Sequence, residues 1–310
     1  MADHNLIPII CGPTGSGKTS AALRLASQYP LEVVSADSRQ IIRHLNIGTA
    51  KPTAEEQRVV RFHLIDLIEP GERYSAFRFI ENADRAIGDV LARGRIPVVV
   101  GGTGLYLRAL TEGVVEIEED RPELRERLEN EMNELGPEAM HRRLMAIDPG
   151  EAAKIHPNNR VRVVRALEIC ELAGQPKSKL TASGAYKRSG FDYQLYCLQP
   201  ERERLYEAIN RRVDVMMQAG LLEEVKRLVG RGLGPALRRA NVIGYEELLD
   251  FLDGRVSLDG GVDLIKQNSR RYAKRQMTWF RHQTECDYFA DAEPLLAALR
   301  SSLSSFQRSH

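Results

Sequence analysis

Cysteine is sparse in this sequence, net charge is nearly absent, and no apolar run is long enough to span a bilayer. The four cysteines, Cys11, Cys170, Cys197 and Cys286, lie far apart with no C-x-x-C pair. That spacing signals neither a zinc knuckle nor a disulfide framework and suits a reducing compartment. Met1 to Asn5 is polar and runs through a short apolar stretch into a glycine-rich loop, so no signal peptide or membrane span is expected there and a cytoplasmic location follows. The formal net charge is +1, so any affinity for nucleic acid has to come from local segregation of charge. Internal repeats and low-complexity tracts are also absent.

Charge is in fact segregated. Residues 112–138 hold eleven Asp or Glu against three Arg, whereas residues 264–284 hold six Lys or Arg and no acid. With 310 residues, 43% of them hydrophobic, the chain is large for a single core, and a main domain carrying a smaller one is expected.

Short apolar strands alternate with helical patterns through the first third. Ile7–Cys11, Leu31–Ser35, His63–Ile68 and Ile96–Val100 read as strands, and Lys18–Tyr29 and Ala76–Ala92 as helices. The pattern predicts an α/β fold, a parallel sheet with helices on both faces. From about Glu112 to Arg188 the texture turns polar and helix-forming, with turns at Gly136-Pro137, Pro149-Gly150 and Gly174-Gln175-Pro176 and no strand candidate. We read 112–190 as a helical insertion and 1–111 with 191–310 as the core domain. Asp192–Leu198 then returns to the sheet, Glu201–Gly230 gives two helices interrupted near Gly220, and Val262–Arg281 gives a long helix before a short Asp287–Ala290 strand.

The segment Gly12-Pro13-Thr14-Gly15-Ser16-Gly17-Lys18-Thr19 matches the phosphate-binding loop in full and lies between a strand and a helix. Its glycines let successive N–H groups turn around a phosphate, the helix N-terminus adds positive potential, Lys18 adds a charge, and Thr19 can ligate Mg²⁺. The loop indicates a phosphate-bearing ligand without saying which. Asp37, in Ser35-Ala36-Asp37-Ser38-Arg39-Gln40, falls at the carboxyl end of the second strand, where it suits a general base or a helix N-cap equally well. Thr103, in Gly101-Gly102-Thr103-Gly104, suits a helix cap first and a phosphate contact second. Lys51, in the loop Ile47-Gly48-Thr49-Ala50-Lys51-Pro52, can reach an anion, although an exposed loop lysine is usually only solvated. Val161, Val164 and Leu167 fall on one helical face beside Arg162 and Arg165, which can either grip RNA phosphates or pair with Glu168. Lys266, Arg270, Arg271, Lys274, Arg275 and Arg281, interleaved with Tyr272, Trp279 and Phe280, suit a nucleic-acid backbone and base stacking, although the aromatics also suit a core.

Taken together, GPTGSGKT, SADSRQ, IGTAKP, HLIDL, YSAFRF, VVVGGTGLY, HPNNRVRVVRALE, VIGYEE and KRQMTWFR, in this order, resemble the bacterial tRNA dimethylallyltransferases from the first strand to about Arg281. The resemblance implies that Gly12 and Thr14 to Thr19 (Gly15, Ser16, Gly17 and Lys18 between them) hold the diphosphate of dimethylallyl diphosphate, with Mg²⁺ at or near Thr19. It implies catalytic roles for Asp37 on the adenine N6 amine, Thr103 on the bridging oxygen and Arg212 on the leaving diphosphate. It implies tRNA contacts from Asp37, Ser38, Arg39 and Gln40, from Arg125, and from Val161, Arg162, Val163, Val164 and Arg165 in the insertion. Further tRNA contacts are implied for Lys274, Arg275, Gln276, Thr278, Trp279 and Arg281. The implied reaction prenylates the adenosine immediately 3′ of a tRNA anticodon; a cytoplasmic monomer is expected. Ile42 stands where such enzymes commonly carry tyrosine, and His44-Leu45-Asn46 replaces a glycine-methionine-aspartate run. Rival readings of the loop are a nucleotide kinase, a prenyltransferase acting on free adenine nucleotides, and a non-catalytic RNA-binding protein.

Overall fold

The computed structural model describes residues 6–115, 121–182, 186–187, 189–283 and 285–308. The chain divides into two compact units, one formed by Met1–Glu112 with Ser189–His310, the other by Gly113–Arg188.

The larger unit holds β1 (Ile7–Cys11), α1 (Lys18–Ala26), β2 (Leu31–Ser35), α2 (Ala54–Val59), β3 (Phe62–His63), α3 (Ala76–Ala92), β4 (Ile96–Gly101) and α4 (Gly104–Glu112). The smaller contains β5 (Val114–Val115), α5 (Pro122–Leu135), α6 (Pro137–Ile147), α7 (Pro149–Ala152), α8 (Arg160–Ala173), α9 (Lys177–Ala182) and β6 (Tyr186–Lys187). The larger unit resumes with β7 (Tyr193–Leu198), α10 (Arg202–Gln218), α11 (Leu221–Gly230), α12 (Gly234–Ala240), α13 (Tyr245–Leu252), α14 (Leu258–Gln283), β8 (Asp287–Phe289) and α15 (Ala292–Arg308).

The main sheet runs β3-β2-β4-β1-β7-β8, and every pairing in it is parallel. All residues of β1, β2 and β4 are buried, as continuous apolar strands covered on both faces must be. The reversal of chain order around β1 places the strand ends β1, β2 and β4 side by side. Ligands of open α/β sheets gather at such a carboxyl edge.

Two local features differ from the sequence expectation. The strand expected over 63–68 ends at His63, because Leu64 and Asp66 adopt φ of 60° and 56°, a left-handed conformation that breaks a ladder. Only Ile68 pairs again, in a single parallel bridge to Ile42. The insertion, read as strandless, contains the antiparallel pair Val114↔Lys187 and Val115↔Tyr186. Two residues per strand are too short to give a periodicity signal.

The smaller unit packs Leu128, Met132, Met140, Leu144, Val163, Val164 and Leu167 into its own core. Val161 is 70% exposed, so the apolar face of α8 runs through Val163 and Val164 and does not include Val161. The expected tRNA contacts at Val163 and Val164 therefore cannot come from these side chains, which are interior. Among the described residues no helix is long and apolar enough to cross a membrane.

Candidate active site at the carboxyl edge of the sheet

The phosphate-binding loop leaves β1 through Gly12, whose φ is 141°. A Cβ there would lie 2.2 Å from the Leu198 carbonyl oxygen on β7, so only glycine lets the chain turn over the sheet edge. Gly17, in the left-handed conformation, then starts α1 without a side-chain cap, leaving the first-turn N–H groups of the helix to a ligand. Ser16 is buried and its Oγ has no hydrogen-bond partner. An orphaned hydroxyl at this point is the mark of a group waiting for an anion.

Lys18 folds back so that Nζ donates to the Pro13 carbonyl oxygen at 2.7 Å. Loss of solvation lowers its pKa to about 8; the nearby negative charge of Asp37 opposes the shift and the positive charge of Arg212 adds to it. Arg212, on α10, donates to Thr14 Oγ1 at 3.1 Å and is likewise pushed down by desolvation, again opposed by Asp37. Two cations and one carboxylate, each partly buried, thus lie near one another around the loop, where reduced solvation strengthens their interaction.

Asp37 follows β2. Its Oδ1 accepts from the Arg39 N–H at 2.8 Å and the Gln40 N–H at 3.4 Å, an Asx-type turn. The capping geometry anticipated for Asp37 is therefore present, but over a turn and not a helix, and it occupies one carboxylate oxygen only. Thr103, at the end of β4, was expected first as a cap of α4. Its Oγ1 instead accepts from the Ser38 N–H at 2.9 Å and donates to Ser38 Oγ at 3.3 Å, so it ties the β4 end to the Asp37 turn. The Tyr272 hydroxyl lies near Thr103 from α14, and burial pushes this phenol up to about 12.

Other expected contact residues have internal partners. Gln40 donates to the Ala50 carbonyl at 3.1 Å and accepts from Ser35 Oγ at 3.0 Å, while Arg39 Nη1 donates to the Ala240 carbonyl at 3.0 Å. Gln276, expected to face tRNA, is buried. Its Oε1 accepts from the Thr14 N–H and its Nε2 donates to the Gly102 carbonyl, both at 2.8 Å. A Cβ on Gly102 would approach that amide nitrogen to 2.6 Å, so the glycine makes room for the glutamine. Gln276 is a strut between the phosphate loop and the β4 end. A strut of this kind has no local sequence signal, since its partners lie 262 and 174 residues away.

Lys51 corrects a second expectation. It is buried, and Nζ donates to the Ile42 carbonyl at 2.8 Å, Asn46 Oδ1 at 2.9 Å and Asp66 Oδ1 at 2.6 Å. Within the run that departs from the usual pattern, Leu45 is fully buried, as Ile42 nearly is, and the Asn46 and Ile47 N–H groups donate to buried Glu224 at 3.1–3.3 Å. Ile42 and Leu45 are therefore packing positions.

On α14, Lys274, Arg275 and Thr278 are exposed, Trp279 is half-buried and Phe280 is core. The Arg275 guanidinium lies 5.6 Å above the Tyr272 ring. Arg281 is also exposed, whereas Lys266 pairs with Asp214 at 2.6 Å and Arg270 with Asn210 at 2.6 Å. In the smaller unit Arg165 pairs with Glu168 at 2.7 Å, Arg125 with Glu129 at 2.9 Å, and Arg162 is exposed.

Residues 40–283 match the family model described as IPP transferase, and residues 5–68 match that of isopentenyl transferase. The chain is 46% identical over 301 residues to tRNA dimethylallyltransferase 1 of Pelobacter propionicus, covering 97% of each chain. It is 47% identical over 275 residues to the tRNA dimethylallyltransferase of Anaeromyxobacter dehalogenans, covering 89% of this chain and 91% of the relative. A similar solved structure is the tRNA isopentenylpyrophosphate transferase of Bacillus halodurans, at 39% identity and a TM-score of 0.66, with 99% of this chain and 100% of that one covered. A eukaryotic dimethylallyltransferase acting on tRNA gives a TM-score of 0.76 at 30% identity, over 89% of this chain and 70% of that one. By family model, identity and fold, the chain belongs to the IPP transferase family of tRNA dimethylallyltransferases.

Proposed function

We propose that this chain transfers a dimethylallyl group from dimethylallyl diphosphate to N6 of the adenosine immediately 3′ of the anticodon in tRNA, releasing diphosphate. The observation that carries this reading is the grouping at one sheet edge of a phosphate loop, the cations Lys18 and Arg212, and the Asp37 carboxylate. In the reaction the allylic carbon's bond to the bridging oxygen breaks, its electron pair leaves with the diphosphate, and a bond from N6 to that carbon forms. Negative charge grows on the leaving oxygens, so Lys18, Arg212 and the loop N–H groups bind most strongly as that bond lengthens. The orphaned Ser16 hydroxyl supplies one further donor.

The N6 amine is a poor nucleophile because its lone pair is delocalised into the ring, which makes orientation the first requirement. Asp37 has Oδ1 fixed by two backbone amides, leaving its second oxygen to accept the N6 proton. Thr103 holds the Asp37 turn in place through Ser38. The adenosine has to leave its stack to reach this edge, as bases do for enzymes that act on them. Exposed Arg162, Lys274, Arg275 and Arg281 suit the RNA backbone.

Thr19 offers a hydroxyl oxygen, and Mg²⁺ is a hard ion that takes few protein ligands and completes its shell with phosphate oxygens and water. The loop fits it on those terms, and when bound it neutralises diphosphate charge. The enzyme acts as a cytoplasmic monomer on a macromolecular acceptor.

The test is incubation of labelled dimethylallyl diphosphate with unmodified tRNA and Mg²⁺, without ATP. Label in the nucleoside immediately 3′ of the anticodon is expected. Transfer to free adenine nucleotide alone, or consumption of added ATP without label in tRNA, refutes the proposal.

A further inference from the structure

Sequence spacing gives no hint of a metal site among the cysteines, but the sheet brings three of them together. Cys11 ends β1, Cys197 lies beside it in register on β7, and Cys286 directly precedes β8. Their sulfur atoms all lie within 4.8 Å of one another. Among the described residues this is the one cluster of three metal-capable side chains. Cys11 and Cys197 are fully buried and Cys286 is half-buried.

Sulfurs around a tetrahedral d¹⁰ ion with metal–sulfur bonds of about 2.3 Å lie about 3.8 Å apart. The three sulfurs are thus already within about 1 Å of ligand spacing, and they come from three separate segments of the chain. Soft thiolate donors select thiophilic ions such as Zn²⁺ over Mg²⁺. We propose that Cys11, Cys197 and Cys286 form a three-thiolate site for a thiophilic d¹⁰ cation at the root of the phosphate loop, distinct from any Mg²⁺ bound with the diphosphate. Each ligating thiol gives its proton to solvent, so occupancy rises with pH. Because Cys11 directly precedes Gly12, a bound ion clamps the start of the loop to β7 and to the entry of β8.

Equilibrium dialysis of the reduced full-length chain against Zn²⁺, and against Cd²⁺ as a spectroscopic probe, tests the site. One ion per chain is expected, with a thiolate-to-metal charge-transfer band in the ultraviolet for Cd²⁺. Cys286→Ser weakens binding by more than about 100-fold, since loss of a ligand exceeds the 10- to 100-fold typical of outer-shell changes. Cys170→Ser, in the other unit, leaves binding unchanged. If the Cys286 variant misfolds, X-ray absorption of the Zn²⁺-loaded wild type decides independently: three sulfurs at about 2.3 Å support the site. A first shell of nitrogen and oxygen, no ion retained after gel filtration, or binding that persists in Cys286→Ser overturns it. A disulfide within the trio that re-forms at once in reduced protein, preventing metal uptake, overturns it as well.

Discussion

Replacing Gln276 with leucine separates its observed role as a strut from the tRNA contact implied by resemblance. Leucine keeps much of the volume but removes both hydrogen bonds, stranding the Thr14 N–H and the Gly102 carbonyl, which Gln276 engages at 2.8 Å each. A buried polar group left without its partner costs about 1–3 kcal/mol, so a loss of about 2–4 kcal/mol is expected, shared between global stability and order of the loop. If about 2 kcal/mol falls on the loop, kcat/KM for the prenyl donor drops about 30-fold. Urea denaturation measures the first share and steady-state kinetics with varied donor the second. Filter binding gives the tRNA Kd, which should move less than about twofold, well under 1 kcal/mol. A tenfold fall in tRNA affinity with donor kinetics and stability unchanged would make Gln276 a tRNA contact and not a strut.

Three further outcomes follow from individual residues. Lys51→Met removes the three hydrogen bonds made by a buried ammonium and should lower unfolding free energy by about 1–3 kcal/mol, the cost of acceptors left unpaired, since Asp66 itself is half-exposed, read by denaturant titration; a change under about 0.5 kcal/mol contradicts the buried role. Lys18, lowered to about 8 by desolvation, is charged below that pH and neutral above it, and diphosphate favours the charged form; binding at about pH 9 should therefore take up a proton that Lys18→Met does not, measured from the buffer dependence of the calorimetric enthalpy. Equal uptake by both proteins contradicts the assignment. Arg275→Ala with Lys274→Ala, both exposed on α14, should reduce the slope of log tRNA affinity against log salt by about 1–2, and an unchanged slope makes that face ordinary surface.

Much of the larger unit was legible because its strands are continuous apolar runs and its loop motif sits between a strand and a helix. The residues whose roles the sequence leaves open share a physical feature, a partner distant in sequence. Lys51 looked like a solvated lysine because Asp66, 15 residues further on and itself in the left-handed conformation, gives no local signal. The choice at Thr103 depended on where β2 ends relative to β4, a matter of register. On α8, three valines in four positions blur the helical period, so Val161 and Val163 exchange their expected environments. The cysteines are 186 and 89 positions apart along the chain, and only the β1-β7-β8 order makes them neighbours.

Asp37 is the proposed acceptor of the N6 proton. Single-turnover transfer to tRNA with Asp37→Asn, at saturating donor, tests it most directly, because asparagine can keep the turn with its side-chain oxygen while losing the base. A fall of at least about 100-fold in the transfer rate, as removal of a general base typically gives, with tRNA Kd within about twofold of wild type, is expected. A rate within about threefold of wild type, far less than removal of a general base costs, contradicts it and leaves Asp37 as a turn residue alone.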